Sequence, residues 1–282
     1  MTNIKTMMRE CTQHGPFEAT LVCAAHDYGN GFATVDVWSG CPSCRAEQRA
    51  REVAAAEAER VRLRDIARKA TCVPPRFQLA QLGSSKLHVV LREFADTLAD
   101  HIGAGTGLAL IGPTGTGKTY ALAAMLLELA DRHAEHIAAE AEWKALQRDV
   151  RNGRAASHGL RYANAEYIGM ELRNTFTKGS AETELQVLRD YTTPRLLVLD
   201  EVGAASDEHT RKAIATILCV RYENAVPTIL AGNLARSELE QYVGARAADR
   251  LAESTKFIVA TGPSRRRATA VSTANNSARG AA

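Results

Sequence analysis

A glycine-rich octapeptide has the composition and spacing of a phosphate-binding loop. It follows an apolar run, Leu108–Ile111, that predicts a strand, and it precedes an Ala- and Leu-rich segment, Tyr120–Ala130, that predicts a helix. Glycines let backbone N–H groups point at a phosphate, and the helix N-terminus adds the positive end of its dipole. Lys118 would reach the β- and γ-phosphates of a nucleotide, and the Thr119 hydroxyl would bind Mg²⁺. The predicted nucleotide-binding residues, together called the phosphate loop, are Gly112, Pro113, Thr114, Gly115, Thr116, Gly117, Lys118 and Thr119.

A second motif, 196–201, supplies acids suited to nucleotide hydrolysis. Its unbroken apolar run ends in Asp200 and Glu201, as expected for a central parallel strand whose carboxyl end faces a site. Asp200 would hold the Mg²⁺ shell through a water, and Glu201 would orient or activate the water that attacks the γ-phosphate. Two acids at a strand end are often only solvated, but here they follow a phosphate loop. The two motifs together predict binding of ATP or GTP at a hydrolytic site.

A third polar residue, Asn233, ends the apolar run that begins at Val226. Its amide would hydrogen-bond the attacking water or the γ-phosphate from a neighbouring strand. The alternative is that Asn233 caps a helix that starts at Leu234. The sequence leaves both interpretations open.

A Cys–His pair and a Cys–Cys pair near the N-terminus have the spacing of metal-binding turns. Two residues separate Cys11 from His14, and two separate Cys41 from Cys44. Such a pair of turns completes the tetrahedral shell of Zn²⁺, and the absence of an open ligand position or a nearby base indicates a structural ion.

The residues between these pairs predict a small zinc-ribbon-like module. Alternation of apolar and polar residues at 17–22 and 32–38 predicts two short strands. Cys23 and His26 offer a competing ligand pair, and buried thiols without metal are the remaining interpretation.

Length and charge narrow the class of protein. The chain has 282 residues and a formal net charge of +3. This length suits one α/β domain of about 200 residues with a smaller appendage. The first residues have no signal-peptide core, and no apolar run has the length of a membrane span. We therefore expect a cytoplasmic protein without a membrane partner, in which clustered cysteines bind metal.

Four regions follow from these patterns. They are a zinc-binding module at 1–45, a charged helical linker at 46–72, an ATPase domain at 73–262 and a basic tail at 263–282 that we expect to be disordered. Within the linker, 45–70 lacks Gly and Pro and predicts one exposed helix, either a spacer or a partner-binding element. The charged segment 131–157 is interpreted as a surface insertion.

The order of motifs over residues 72–267 matches a known family. The motifs are Val73-Pro-Pro-Arg-Phe77, GPTGTGKT, LLVLDEVG, RYENAVPTILAGNL, GARAADRL and a final Ser-Arg-Arg. This series resembles the DnaC/IstB-like AAA+ ATPases, which include replicative-helicase loaders and ATPase subunits of some transposons. The resemblance implies a P-loop fold with a five-stranded parallel sheet flanked by helices. Gly232 departs from the family, which usually has Thr before the amide.

The resemblance also implies roles for C-terminal arginines. Arg250 would be an arginine finger that enters the ATP site of an adjacent subunit, with Arg246 as the fallback. Arg266 would contact phosphate within its own subunit, with Arg265 as its rival. The alternative is that all four are surface arginines.

As a function, the resemblance implies a phage-type helicase loader. ATP binding would assemble subunits through the ATP site, hold single-stranded DNA and deliver a DnaB-like ring helicase, which the zinc module and charged helix would bind. The alternatives are an IstB-like transposition ATPase acting on duplex DNA and a zinc-dependent adaptor that binds ATP without hydrolysis. Candidate DNA-phosphate contacts, which the sequence cannot distinguish from solvated residues, are Arg173, Lys178, Arg211 and Lys212.

Overall fold

The computed structural model describes residues 5–27, 32–140, 159–180, 182–205 and 207–264. Its contacts divide the chain into two units, 1–62 and 63–282. In the described part of the chain, no helix combines the length and apolar character needed to cross a bilayer. The tail from residue 265 and most of the segment interpreted as an insertion lie outside the described residues.

The N-terminal unit contains an antiparallel sheet. β1 (Thr6–Cys11) pairs with β2 (Gly15–Asp27), which pairs with β3 (Phe32–Trp38). Gly15, at φ 76°, permits the tight turn between β1 and β2. The two strands predicted at 17–22 and 32–38 are confirmed as β2 and β3. β1 is a further strand that was not predicted, because it is exposed and its sequence, TMMREC, carries no burial pattern. The following helix, α1 (Pro42–Ala70), confirms the predicted charged helix.

Within the described ranges, the second unit contains a parallel sheet of five strands, as predicted. The strands are β4 (Gly107–Ile111), β5 (Leu160–Asn164), β6 (Leu196–Val202), β7 (Thr228–Gly232) and β8 (Thr255–Val259). Their order in the sheet is β5-β6-β7-β4-β8. The central strands are nearly continuous apolar runs because helices cover both faces of a parallel sheet.

Helices on the two faces form two cores. The helices of this unit include α2 (Lys86–Asp96), α3 (Leu98–His101), α4 (Lys118–Arg132), α5 (Ala165–Thr175), α6 (Glu184–Thr192), α7 (Glu208–Glu223), α8 (Arg236–Val243) and α9 (Ala245–Ser254). Alternate residues of a strand enter different cores: Leu110 joins the core with α2 and α4, and Ala109 joins the core with α5 to α9. Thr97 separates α2 from α3.

A buried guanidinium connects the amino ends of β6 and β7. Arg221 in α7 is fully buried. It donates to five oxygens, which are Thr228 Oγ1 and the carbonyls of Tyr191, Thr192, Pro194 and Pro227, at 2.6–3.3 Å. A buried cation is tolerated because its hydrogen bonds are made. Arg221 therefore fixes the segments from which both strands start.

Replacing Arg221 tests this assignment. Arg221→Leu should lower the free energy of unfolding by about 3–5 kcal/mol, because it leaves several buried oxygens without a donor. The exposed Arg195 is the control, and Arg195→Leu should change stability by less than about 0.5 kcal/mol. Urea unfolding followed by circular dichroism measures both, and equal losses would contradict the assignment.

Candidate nucleotide site and zinc centre

The carboxyl ends of β4, β6 and β7 meet at one edge of the sheet. Because β7 lies between β4 and β6, its end brings Asn233 between the phosphate loop and the acid pair. A cleft of about 810 Å³ opens there. The predicted residues that line it are Thr114, Gly115, Gly117, Lys118, Thr119, Asp200, Glu201 and Asn233.

The phosphate loop holds its lysine by backbone oxygens. Gly117, at φ 93° and ψ 13°, precedes the first turn of α4. The Lys118 ammonium donates to the carbonyls of Gly112 and Pro113 at 2.8 and 2.9 Å. Thr116 Oγ1 donates to the same Pro113 carbonyl at 3.1 Å. These contacts keep the ammonium within the loop.

The segment after β8 packs against the phosphate loop. The Ala260 N–H donates to the Ile111 carbonyl at 2.7 Å. A Cβ on Gly112 would lie 2.4 Å from the Ala260 carbonyl oxygen, and a Cβ on Gly115 would lie 2.2 Å from Ser264 Oγ. Both glycines are thus required by close approach, and the start of the Ser-Arg-Arg motif lies beside the loop.

Asp200 is buried and bonded at both oxygens. Its side chain lies at the end of β6, and the residue is only 2% exposed. The Glu201 N–H donates to Oδ1 at 2.8 Å, and the Tyr162 hydroxyl donates to Oδ2 at 2.7 Å. Burial, followed by the charge of Asp200, raises the pKa of Tyr162 well above its usual range, so the phenol remains a donor.

Glu201 lies in a strained backbone conformation. Its φ is 55°, and the pairing of β6 with β7 is irregular between Leu199 and Val202. The carboxylate accepts a hydrogen bond from Asn164 Nδ2 at 2.7 Å. The Asn164 side-chain oxygen accepts the Glu166 N–H at the start of α5. One amide therefore contacts both the candidate water-activating group and a helix terminus.

Sequence reasoning did not identify Tyr162 or Asn164. Asn164 follows an apolar run just as Asn233 does, so the same pattern could have indicated it. Tyr162 has no local signal, because only the pairing of β5 with β6 brings it to Asp200.

The irregular pairing of β6 with β7 explains why Gly232 stands where the resembled family usually has Thr. A Cβ on this residue would lie 2.5 Å from the Val202 carbonyl oxygen. Backbone cannot move aside as a flexible side chain can, so glycine is required. The helix after Asn233 begins at Arg236 with Ala235 in the cap position, and Asn233 therefore does not cap it.

The predicted finger, Arg250, lies away from this cleft. It lines a small hollow with Gly107 and Thr255, the first residues of β4 and β8, whereas the cleft lies at the carboxyl ends. Its Nη2 donates to Glu223 Oε1 at 2.8 Å, and Arg246 contacts the same oxygen at 3.4 Å. The Arg250 side chain is 16% exposed and that of Arg246 is 76% exposed. Arg265 and Arg266 lie outside the described residues.

Three candidate DNA contacts have partners within the protein. Arg173 pairs with Asp207 at 3.1 Å, and Lys212 pairs with Glu208 at 2.7 Å. Arg211 donates to the carbonyls of two residues in α8. Lys178 is exposed.

Cys11, His14, Cys41 and Cys44 converge in the N-terminal unit. Their ligand atoms lie within 4.8 Å of one another. The His14 Nδ1 lies 3.3 Å from Cys44 Sγ, and Cys11 Sγ lies 3.4 Å from Cys44 Sγ. Ligands about 2.3 Å from one tetrahedral Zn²⁺ have nearly this separation, so the set fits zinc. Cys23 and His26, the competing pair, have side chains outside the described residues.

Glu47 completes this cluster from α1, although its place in the sequence did not indicate it. Its Oε1 lies 2.8 Å from His14 Nε2, which leaves Nδ1 facing the thiols. A carboxylate in this position fixes the orientation of a metal-binding imidazole. The hydrogen bond to Glu47 raises the pKa of His14 to about 9.

The sheet order, the phosphate loop and the acid pair define a P-loop protein with the AAA+ fold. No family model matches the chain. The replicative helicase loader DnaI of Bacillus subtilis (strain 168) is 27% identical over 170 residues, 59% of this chain and 46% of DnaI. The match therefore spans about half of that relative. These findings confirm the resemblance of the chain to DnaC-like AAA+ helicase loaders.

A solved structure shows the same fold, and a second one is also similar to this chain. A structure of the DnaC helicase loader is 18% identical with a TM-score of 0.50, covering 67% of this chain and 100% of that one. A structure of DnaI is 24% identical with a TM-score of 0.48, covering 69% of this chain and 94% of that one.

Zinc content tests the ligand assignment. The purified chain should contain about one zinc per molecule by elemental analysis. Cys44→Ser should lose most of it, whereas Cys23→Ser, the control, should keep it. Zinc affinity should fall as pH decreases, because binding displaces protons from His14 and the thiols. Zinc lost from Cys23→Ser would contradict the assignment and show that the competing pair supplies ligands.

Proposed function

We propose that this chain is an ATP-dependent DNA replication protein that binds single-stranded DNA and loads a replicative ring helicase. The observation that carries the proposal is the convergence of Lys118, Asp200, Glu201 and Asn233 in a fold similar to that of helicase loaders. The identity with DnaI, itself a replicative helicase loader, supports the same function. Fold alone does not specify function, so the proposal depends on the site as well.

In this proposal, the cleft binds ATP through the phosphate loop. Lys118 and the loop N–H groups hold the β- and γ-phosphates. The Thr119 hydroxyl and, through a water, Asp200 would hold Mg²⁺, which would neutralise phosphate charge. Phe77 and Tyr120 add aromatic surface to the same cleft, which suits a nucleotide base.

Hydrolysis requires Glu201 and Asn233. Glu201 orients or activates the attacking water, and the Asn233 amide binds that water or the γ-phosphate. Asn164 holds the Glu201 carboxylate, so the position of the carboxylate depends on the start of α5. Arg266, two residues beyond Ser264, is proposed to contact phosphate within the same subunit.

Self-association completes the site in this proposal. Arg250 lies near the amino ends of the strands, so it acts on a neighbouring subunit rather than on its own cleft. The Glu223 carboxylate holds it within the isolated chain. Hydrolysis therefore depends on assembly, and ATP serves as a switch.

The zinc unit and α1 are proposed to bind the helicase. α1 presents charged residues along an exposed surface, and the zinc cluster stabilises the small sheet that precedes it.

A loading assay tests the proposed function. Helicase from the same organism is mixed with closed circular single-stranded DNA, and the bound helicase is measured after gel filtration. The chain with ATP should increase the bound helicase several-fold, because a closed ring must open to enter a circle. Lys118→Ala should not. Stimulation by Lys118→Ala equal to that of the wild type would contradict the proposal, and preferential coating of duplex circles would favour a transposition ATPase.

Subunit mixing tests the shared site. Arg250→Ala should bind ATP normally but lower kcat by about 10³-fold, because the finger acts in the transition state. Lys118→Ala should not bind ATP, yet it still supplies Arg250. A mixture of the two variants should therefore recover part of the ATPase activity, and Arg195→Ala, the control, should hydrolyse normally. Normal turnover by Arg250→Ala would show that Arg250 is not the finger.

A further inference from the structure

Tyr162 is buried beside the metal-binding end of the proposed ATP site. It is the middle residue of β5, the edge strand next to β6. Its hydroxyl donates to Asp200 Oδ2 at 2.7 Å, within a buried environment. The other oxygen of Asp200 accepts the Glu201 N–H. Each carboxylate oxygen therefore has one protein donor and retains further accepting capacity.

Two contacts fix the position of the phenol. Its ring belongs to the core that contains Leu196 and Val198, on the strand that carries Asp200. Its backbone N–H, on the side of β5 away from β6, donates to the Thr71 carbonyl at 2.7 Å. The ring and the backbone of Tyr162 are thus both held, so the position of the hydroxyl does not depend on a mobile side chain.

We infer that Tyr162 is a positioning residue for the Mg²⁺ bound with nucleotide, because its hydroxyl sets the orientation of the Asp200 carboxylate. This inference rests on the proposed nucleotide binding. Water-mediated coordination requires a carboxylate with a fixed orientation, since the water must contact both the ion and the oxygen. Outer partners of metal ligands commonly change metal affinity or activity by about 10–100-fold.

Tyr162→Phe removes only the hydroxyl and keeps the buried ring. Binding of a fluorescent ATP analogue is titrated in EDTA and again at increasing Mg²⁺ concentrations. The nucleotide affinity in EDTA should stay within about twofold of the wild type, since Asp200 does not contact nucleotide directly in this scheme. The Mg²⁺ concentration for half-maximal enhancement of binding should rise by about 10–100-fold.

Tyr191→Phe is the matched control. Tyr191 is also buried, and its hydroxyl also donates to a carboxylate, Glu171, at 2.5 Å. Neither residue lines the nucleotide cleft. Loss of this hydroxyl should leave the Mg²⁺ dependence unchanged.

The outcomes separate the inference from the proposed function. A Mg²⁺ dependence of Tyr162→Phe that matches the wild type would overturn the inference alone. Equal losses in EDTA and in Mg²⁺ would also overturn it, because the hydroxyl would then be only structural. Failure of the wild-type chain to bind the analogue in either titration would overturn both.

Discussion

The relative position of β6 and β7 decides whether this chain has a nucleotide site, because one strand carries the acid pair and the other leads to Asn233. Arg221 fixes that position from the opposite end of the sheet. Its guanidinium binds the carbonyls of Pro194 and Pro227, just before the two strands begin. Burial lowers the pKa of Arg221 to about 9, whereas five oxygen acceptors favour the charged form. The Arg221 guanidinium, a group that water solvates strongly, is thus buried among neutral oxygens. Its hydrogen bonds to these oxygens align the starts of β6 and β7.

At the carboxyl ends of β6 and β7 the backbone geometry becomes irregular, and this irregularity determines where the Glu201 carboxylate lies. The positive φ of Glu201 costs about 1–3 kcal/mol. Glu201 follows the regular apolar part of β6, and its backbone conformation turns the carboxylate out of the pleat toward Asn164. Gly232 on the adjacent strand has no Cβ and so accommodates the displaced Val202 carbonyl. The glycine at position 232 and the strained backbone of Glu201 are therefore two parts of one local arrangement.

The sequence predicted the parallel sheet well because buried parallel strands are continuous apolar runs, and fixed spacing identified Lys118 and Asp200. The Cys and His residues that converge in the N-terminal unit were predicted from spacing in the same way. Three features were not accessible. β1 is exposed and charged, so no burial pattern marks it. Tyr162 meets Asp200 only through strand order, which chain order does not determine. The orientation of Glu47 toward His14 depends on where α1 begins relative to β1, and this is decided by tertiary structure.

The contact between the Tyr162 N–H and the Thr71 carbonyl also affects the solubility of the second unit. β5 is an edge strand, and exposed N–H groups on such a strand offer a template for pairing with another chain. Thr71, the residue after α1, bonds the central N–H of this edge and is itself fully buried. The end of the charged helix thus protects the sheet from edge-to-edge aggregation. A fragment of the second unit that starts after residue 71 would lose this hydrogen bond and expose an edge strand prone to pairing with other chains, even though every candidate nucleotide-binding residue would remain.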